Sequence, residues 1–296
     1  MNSLTDKSYA KINIGLDVIG RRDDGYHNLR MIMQSIDLHD IITVERSKCS
    51  GIYIKTNLSY LPTDKRNIVY KAADTFLKRF GIKDGLKITL SKNIPVAAGL
   101  AGGSSNGAVT LKLLNELFST GLSKKELMEI GLTLGADVPF CFLMGTALSE
   151  GIGEILTPLK AIPDCHILIV KPDISVSTKY VYSNLKLSPT SSHPDIDSML
   201  EAIEAGDLKE LTNHMDNILQ TVTIPKHPII KDIKKQMKAG GAMTALMSGS
   251  GPSVFAIYHD EHTALKAYEY FINEGKYGQQ VFLTKPYWPE DGKTNE

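Results

Sequence analysis

Apolar and polar positions alternate from Ser8 to Val18, with Ile12, Ile14 and Leu16 on one side and Lys11, Asn13 and Gly15 on the other. A period of two predicts a β-strand. Residues 30–36, 41–46 and 51–56 predict three more. At Asn67 the period lengthens: Ala72, Ala73, Phe76 and Leu77 share a helical face, and Gly81 supplies a stop, so 67–80 is predicted as a helix. Residues 86–90 predict a strand that leads into a glycine-rich stretch, and Ala108, Leu111, Leu114, Leu117 and Phe118 predict a helix beyond it. Ser123 is read as the cap of a helix running to about 134. Further on, the pattern predicts a strand at 166–170, a helix near 178–185, a polar loop at 188–195, and helices at 196–205, 208–219 and 228–238. Strands at 243–247 and 253–258, a helix at 261–273 and a strand at 280–284 follow, and the polar tail from Trp288 is expected to fray. This mixture predicts an α+β fold. A composition shift near 156–163 divides it into domains 1–160 and 161–296.

Composition mostly excludes. Lysine plus arginine and aspartate plus glutamate balance at 33 each, so charge provides no case for nucleic acid or an anionic membrane. The most apolar long run, 130–149, contains Asp137, Pro139 and three glycines and is not a membrane helix. Three cysteines without a CxxC spacing read as thiols in a reducing cytosol, and the opening MNSLTDKSYAKINIG has no signal segment, so the expected location is cytoplasmic.

The stretch Pro95 to Ala108 carries the strongest chemical signal. It contains Gly99, Gly102 and Gly103, then Ser104, Ser105 and Asn106, read as helix-capping residues, and a helix follows. Glycines let backbone N–H groups approach an anion, and a helix N-terminus adds a positive dipole end. No acid occurs between Ser91 and Asn115, and Lys92 is the only charge before Lys112. An ordinary strand-to-helix turn would also use glycines, but the absence of acids in the first turn favours a phosphate. A side chain at Gly102 is expected to stand where phosphate must lie.

Asp137 is the only charged side chain from Ile130 to Ser149. It is either a turn or cap aspartate in Gly-Ala-Asp-Val-Pro, or a base or metal ligand beside the phosphate loop. Lys11 is either an inert strand lysine or a functional one sharing its face with Asn13. The turn from Arg21 to His27 is a plain hairpin or a source of an aromatic plane and an imidazole for a planar ligand. Gly249, Ser250 and Gly251, between two apolar strands, form a tight turn or a second phosphate contact. His259 and His262 open a surface helix and are not read as a zinc site, and Gly292-Lys293-Thr294 lacks the upstream glycine of a Walker A loop.

Together these pieces resemble the GHMP kinase superfamily. Ala10–Leu29, Pro95–Ala108 and Met247–Ile257 match its three signatures in order, over nearly the whole chain. Gly25-Tyr26-His27 and Leu134–Phe140 are similar to the branch that acts on a cytidine-diphosphate-linked methylerythritol, and the Gly-Glu-His element of galactokinase and mevalonate kinase is absent. The resemblance implies a two-domain fold: an N-terminal domain similar to ribosomal S5 and a smaller α/β C-terminal domain. It implies ATP as donor, Mg²⁺ as its companion, and transfer of the γ-phosphoryl group to the 2-hydroxyl of that small molecule in the non-mevalonate route to isoprenoid precursors. Asp137 matches the catalytic base and Lys11 the lysine near the acceptor hydroxyl. Pro95, Gly99, Leu100, Ala101, Gly102, Gly103, Ser104 and Ser105 match the ATP phosphate loop, and Asn67, Ile68 and Lys92 the adenine region. Asn13 and Thr178 match substrate-site residues. Tyr26 and Tyr182 match aromatics on the two faces of cytosine, and His27 a reader of its edge. Ser104 or Ser105 is expected to ligate Mg²⁺ directly or through water; oligomeric state has no signature. Ala101 and Gly107 exchange the glycine and alanine often seen there, which the loop is expected to accept only with Ala101 at negative φ, and Met144 stands where glycine is common. The rivals are another kinase or the decarboxylase of the same fold, disfavoured by the cytidine residues, and an inactive ligand-binding relative, disfavoured by Lys11 with Asp137.

Overall fold

The computed structural model describes residues 2–187 and 193–289. Its elements are mixed α and β, as the pattern implies, and they gather into two compact units that interleave along the chain. The first unit comprises 2–10, 38–96 and 101–143; the second comprises 11–37, 97–100 and the described residues from 144 onward.

The first unit holds the opening of strand β1 (Ser3–Arg21) and the end of strand β2 (His27–Ser47). β2 pairs antiparallel with β4 (Gly85–Ser91), Ile41 facing Ser91 and Ser47 facing Gly85, and β4 pairs parallel with β3 (Ile52–Thr56). Helices α1 (Ile68–Phe80) and α2 (Gly102–Leu117) cover this sheet, with α3 (Lys124–Leu132) and the short α4 (Val138–Leu143) behind. Ile42, Val44, Phe76, Leu86, Ile88, Leu111, Leu114 and Val138 form its core. The predicted stops work as physics requires. Asn67 Oδ1 accepts from Val69 N–H, Gly81 closes α1 at φ 61°, and Ser123 with Glu126 makes a capping box.

In the second unit, β2 pairs antiparallel with β5 (Thr146–Gly151), and β5 with β6 (Ile155–Pro158). A four-stranded antiparallel sheet runs β10 (Gln280–Thr284), β7 (His166–Lys171), β9 (Val254–Tyr258), β8 (Thr244–Met247). Helices α9 (Ile229–Ala239) and α10 (Glu261–Glu274) pack on it, and α5 (Thr178–Asn184), α6 (Ile196–Ala205), α7 (Leu208–His214) and α8 (Gln220–Lys226) complete the unit.

Several expectations are corrected. Segments 30–36 and 41–46 are one strand, because Asp40 between them is fully buried with partners of its own. The helix expected over 208–219 ends at His214. Leu16 N–H donates to Asp216 O and Ile218 N–H to Leu16 O, so backbone pairing with β1 displaces helix there. α4 and the start of β5 lie in the apolar run 130–149, and β6 lies just beyond it, where the pattern predicts no element. The tail does not fray at 288: Tyr287 N–H donates to Ser35 O, and Trp288 Nε1 donates to Thr146 Oγ1 at 3.2 Å. Residues 188–192, in the predicted polar loop, and 292–294 lie outside the described residues. No described helix is long and apolar enough to cross a membrane.

Candidate active site

In the first unit the chain enters the glycine-rich stretch from β4 through Lys92, Ile94 and Pro95, all buried. Ala101 sits at φ 52°, so the requirement for a negative φ is not met: the alanine itself adopts the left-handed conformation, as does Ala97 at 51°. α2 then starts at Gly102, earlier than its apolar positions suggest, and no side chain caps it. Ser104, Ser105 and Asn106 are therefore in its first turns rather than caps. The helical ladder begins with Ser105 N–H donating to Ala101 O at 2.9 Å. The N–H groups of Gly102, Gly103 and Ser104 lie ahead of it, and no acid occupies the first turn.

The two helix-opening glycines meet different neighbours. A Cβ on Gly102 would lie 2.8 Å from Ile94 Cγ2 and 3.1 Å from Lys92 Nζ, so it would point into the fold. Gly103 is exposed, and a Cβ there would meet only Ile68 Cγ2, at 3.7 Å. Ile68 thus stands beside the start of α2, and Asn67 caps α1 next to it, its Nδ2 donating to Pro62 O. Lys92 is not open to solvent: its ammonium is paired with buried Asp40 and donates to Asn106 Oδ1 at 3.2 Å. Burial pushes that ammonium below the ordinary lysine range, and Asp40 pulls it back. The Ser105 hydroxyl is also engaged, accepting from Ser8 Oγ at 2.8 Å. Asp137 is half-buried in the turn before α4. Gly135, two residues earlier, would place a Cβ 4.0 Å from Ser104 Oγ, so this turn lies against the first turn of α2.

The second unit assembles another group. Lys11 and Asn13, on the polar side of β1, are 4% and 1% exposed. Lys11 N–H donates to Leu100 O at 3.1 Å, and Lys11 Nζ donates to Asn13 Oδ1 at 2.6 Å. The Asn13 amide donates to Met31 Sδ, a weak acceptor. The turn after β8 locks onto the same place. Ser248 Oγ donates to Gly99 O, and a Cβ on Gly99, which sits at φ 76°, would fall 2.2 Å from Ser248 O. A Cβ on Gly249 would be 3.5 Å from Asn13 Oδ1. Asn217, a residue that carries no sequence signal, donates from Nδ2 to both Met247 O and Gly249 O. Ser250 pairs its hydroxyl with Thr178 Oγ1 at 2.8 Å, which joins the start of α5 to this turn.

α5 also carries Tyr182, whose ring lies 5.3 Å from that of His27, tilted by 35°. Burial, with a smaller contribution from Arg21, holds the His27 imidazole below its ordinary range, so it is neutral at pH 7. Tyr26, 60% exposed, closes the hairpin: its N–H donates to Asp24 Oδ1 and its carbonyl accepts from Arg22 N–H. The structure thus joins His27 to Tyr182, and Lys11 and Asn13 to the 97–100 and 248–251 turns.

Comparison with known proteins gives the family and the fold. Residues 67–145 match the GHMP kinases N terminal domain, and residues 199–276 match the GHMP kinases C terminal model. The 4-diphosphocytidyl-2-C-methyl-D-erythritol kinase of Lachnoclostridium phytofermentans is 55% identical over 96% of this chain and 98% of its own. A crystal structure of 4-(cytidine 5'-diphospho)-2C-methyl-D-erythritol kinase superposes with a TM-score of 0.82 at 31% identity, covering 97% of this chain and all of that one, 100%. Homoserine kinase from Cytophaga hutchinsonii, at 19% identity and a TM-score of 0.73 over 97% of this chain and 95% of its own, shares the fold.

Proposed function

The chain belongs to the GHMP kinases, in the branch of the 4-diphosphocytidyl-2-C-methyl-D-erythritol kinases, and from that membership we infer that it transfers the γ-phosphoryl group of ATP to the 2-hydroxyl of 4-diphosphocytidyl-2-C-methyl-D-erythritol. The observation that carries the donor side is the start of α2: three backbone N–H groups ahead of the ladder, no cap and no acid. Charge on transferring phosphoryl oxygens is best met by such fixed dipoles, because they need no reorganisation during the reaction. Asn67 and Ile68 border this place and are assigned to the adenine. Lys92 supports it from below, as do Pro95 and Ser105. Gly99 and Leu100, with Gly249, Ser250 and Gly251, are assigned to positioning around Lys11 and Asn13.

Asp137 is assigned the acceptor hydroxyl: its carboxylate orients the O–H and takes the proton as the new P–O bond forms. Lys11 supplies a buried cation for the charge that develops on oxygen. Its short contact to Asn13 keeps the ammonium in one orientation. Tyr182 and Tyr26 are assigned the faces of cytosine. Neutral His27 offers one donor and one acceptor to its edge, and Thr178 borders the same pocket. Mg²⁺ fits hydroxyl and phosphate oxygens, and half-buried Ser104 beside the Asp137 turn offers one, whereas Ser105 is already engaged. When bound, Mg²⁺ would neutralise phosphate charge. The division 1–160 and 161–296 is retained for the two GHMP domains, since the matched segments fall one on each side of it.

The test is a phosphoryl-transfer assay with ATP and the cytidylylated substrate, run beside mevalonate, homoserine and galactose. Transfer to the cytidylylated substrate alone is expected. Faster transfer to any of the other three overturns the substrate assignment.

A further inference from the structure

Under the first turn of α2 lies a buried polar cluster centred on a residue that no sequence motif marks. Asp40 is fully buried, and its four acceptor directions are all taken. Oδ1 accepts the N–H groups of Asn93 and Ile94 at 2.7 and 2.8 Å. Oδ2 accepts Asn106 Nδ2 at 2.7 Å and the Lys92 ammonium. The Asn106 amide also donates to Ser8 Oγ at 2.9 Å, and Ser8 donates to Ser105. One carboxylate therefore ties the segment that enters the glycine-rich loop to the helical turn that leaves it. The two side chains it holds or follows, Lys92 and Ile94, form the floor on which Gly102 rests.

We propose that Asp40 is a positioning residue for the ATP phosphates, acting through Lys92–Ile94 and Asn106 and touching neither substrate. The proposal rests on the kinase reading above. Two physical points favour it over a purely structural role. A buried ion pair is a poor way to gain stability, since apolar replacements of similar volume are often as stable or more so. It is a good way to fix geometry, because each partner has directional bonds that a methyl group lacks. What is fixed here is the spacing between residues 92–94 and residues 105–106, the two ends of the loop. A displacement of about 1 Å at a site of transfer can cost on the order of a hundredfold.

The experiment measures KM for ATP, KM for the cytidylylated substrate, melting temperature, and calorimetric binding of a non-hydrolysable ATP analogue. Asp40→Asn keeps an oxygen for Asn93 and Ile94 but sets an NH₂ group against the donors of Lys92 and Asn106. We expect a KM for ATP raised about tenfold or more and a KM for the cytidylylated substrate within about twofold of wild type. The double variant Asp40→Asn, Lys92→Met removes the unpaired charge. It should recover the melting temperature without recovering ATP affinity. Recovery of both would show a structural role only and overturn the proposal, as would parallel changes in both KM values or no change in either. If Asp40→Asn does not fold, Asn106→Ala leaves the Asp40–Lys92 pair in place and removes the tether to α2, together with the Asn106 bonds to Ser8 and Lys92. The same selective loss of ATP affinity is expected, and its absence in a folded variant refutes the idea. Wild-type protein that binds the analogue but transfers nothing would sink the kinase reading while leaving the calorimetric test of Asp40 intact.

Discussion

Gly103→Ala separates the stability of α2 from its role in binding ATP. Gly103 is in the first turn of the helix, its backbone is not left-handed, and the nearest neighbour of an added Cβ is Ile68 Cγ2 at 3.7 Å, an ordinary contact. Nothing must move to admit the methyl group. Glycine in a helix is less favourable than alanine by roughly 0.5–1 kcal/mol, so the variant should be more stable by up to that amount. For a chain of this length this corresponds to a rise in melting temperature of about 1–3 °C. ATP binding should move the other way. The methyl group occupies the exposed side of the turn, where phosphate is proposed to sit. Losing one charge-assisted hydrogen bond costs about 1.5–3 kcal/mol, or roughly a ten- to hundredfold rise in Kd.

The assay pairs differential scanning calorimetry with titration of the ATP analogue, and uses Gly102→Ala as its counterpart. There the methyl group would lie 2.8 Å from Ile94 Cγ2, so that variant should lose about 1–3 kcal/mol of stability by overpacking. A Gly103→Ala protein that melts higher and binds ATP as tightly as wild type would show that the phosphates do not lie at the start of α2.

Asp137→Asn should leave the melting temperature and ATP affinity near wild type and lower kcat by about two orders of magnitude or more; turnover within about threefold of wild type would make Asp137 structural. Tyr182→Ala removes a ring that packs against His27 and should raise KM for the cytidylylated substrate by roughly ten- to a hundredfold, with KM for ATP unmoved. Equal losses for both substrates would make Tyr182 a fold residue. His27 has its pKa depressed in the fold, so the unfolded chain takes up its proton first as pH falls below the ordinary histidine value. Its contribution to stability is therefore held above that value and lost as pH falls toward the depressed one. In the same window its acceptor nitrogen becomes a donor, and KM for the cytidylylated substrate should rise in wild type but not in His27→Ala. Cys49 is exposed, Cys141 is buried, and burial pushes the Cys165 thiol up to about 12. Maleimide should label the native protein at Cys49 alone; labelling of Cys165 before unfolding would contradict its burial.

What the sequence disclosed follows the range of the forces involved. α1 and α3 were legible from end to end, because a one-faced apolar stripe and a local cap fix each helix, and both Asn67 and Ser123 bond to residues within three positions. β1 was legible as a strand, but its second face was not. Lys11 and Asn13 share a face that the pattern alone leaves as an inert strand surface or a functional one, whereas the structure buries both. Polar residues reach the interior through partners distant in sequence, and alternation cannot distinguish a wet face from a satisfied dry one. The same limit hid Asp40, which lies between the strands predicted at 30–36 and 41–46. The His27–Tyr182 contact was expected only through family resemblance, since no local pattern relates a hairpin residue to a helix so far along the chain. Asn217 was hidden inside a longer apolar helical pattern, and its side chain, not its periodicity, is what holds the 247–249 turn.

The glycine-rich loop shows how a correct functional signal can rest on an incorrect local account. Three polar residues after the glycines suggested side-chain caps, and an alanine among them suggested ordinary backbone. In the structure the caps are absent and the alanines carry the unusual conformation: Ala97 and Ala101 sit at φ 51° and 52°. A left-handed alanine costs roughly 1–2 kcal/mol, and a capping side chain forgone costs about 1 kcal/mol more. Both costs fall on the same turn, and both leave N–H groups unoccupied. A helix selected for stability alone would place serine or aspartate at position 101 and an acid soon after. This helix has neither, and it spends Ser105 and Asn106 on bonds to Ser8 and Asp40 underneath. The polar side chains anchor the turn from below while its backbone donors remain available above, which is the division of labour that an incoming anion requires.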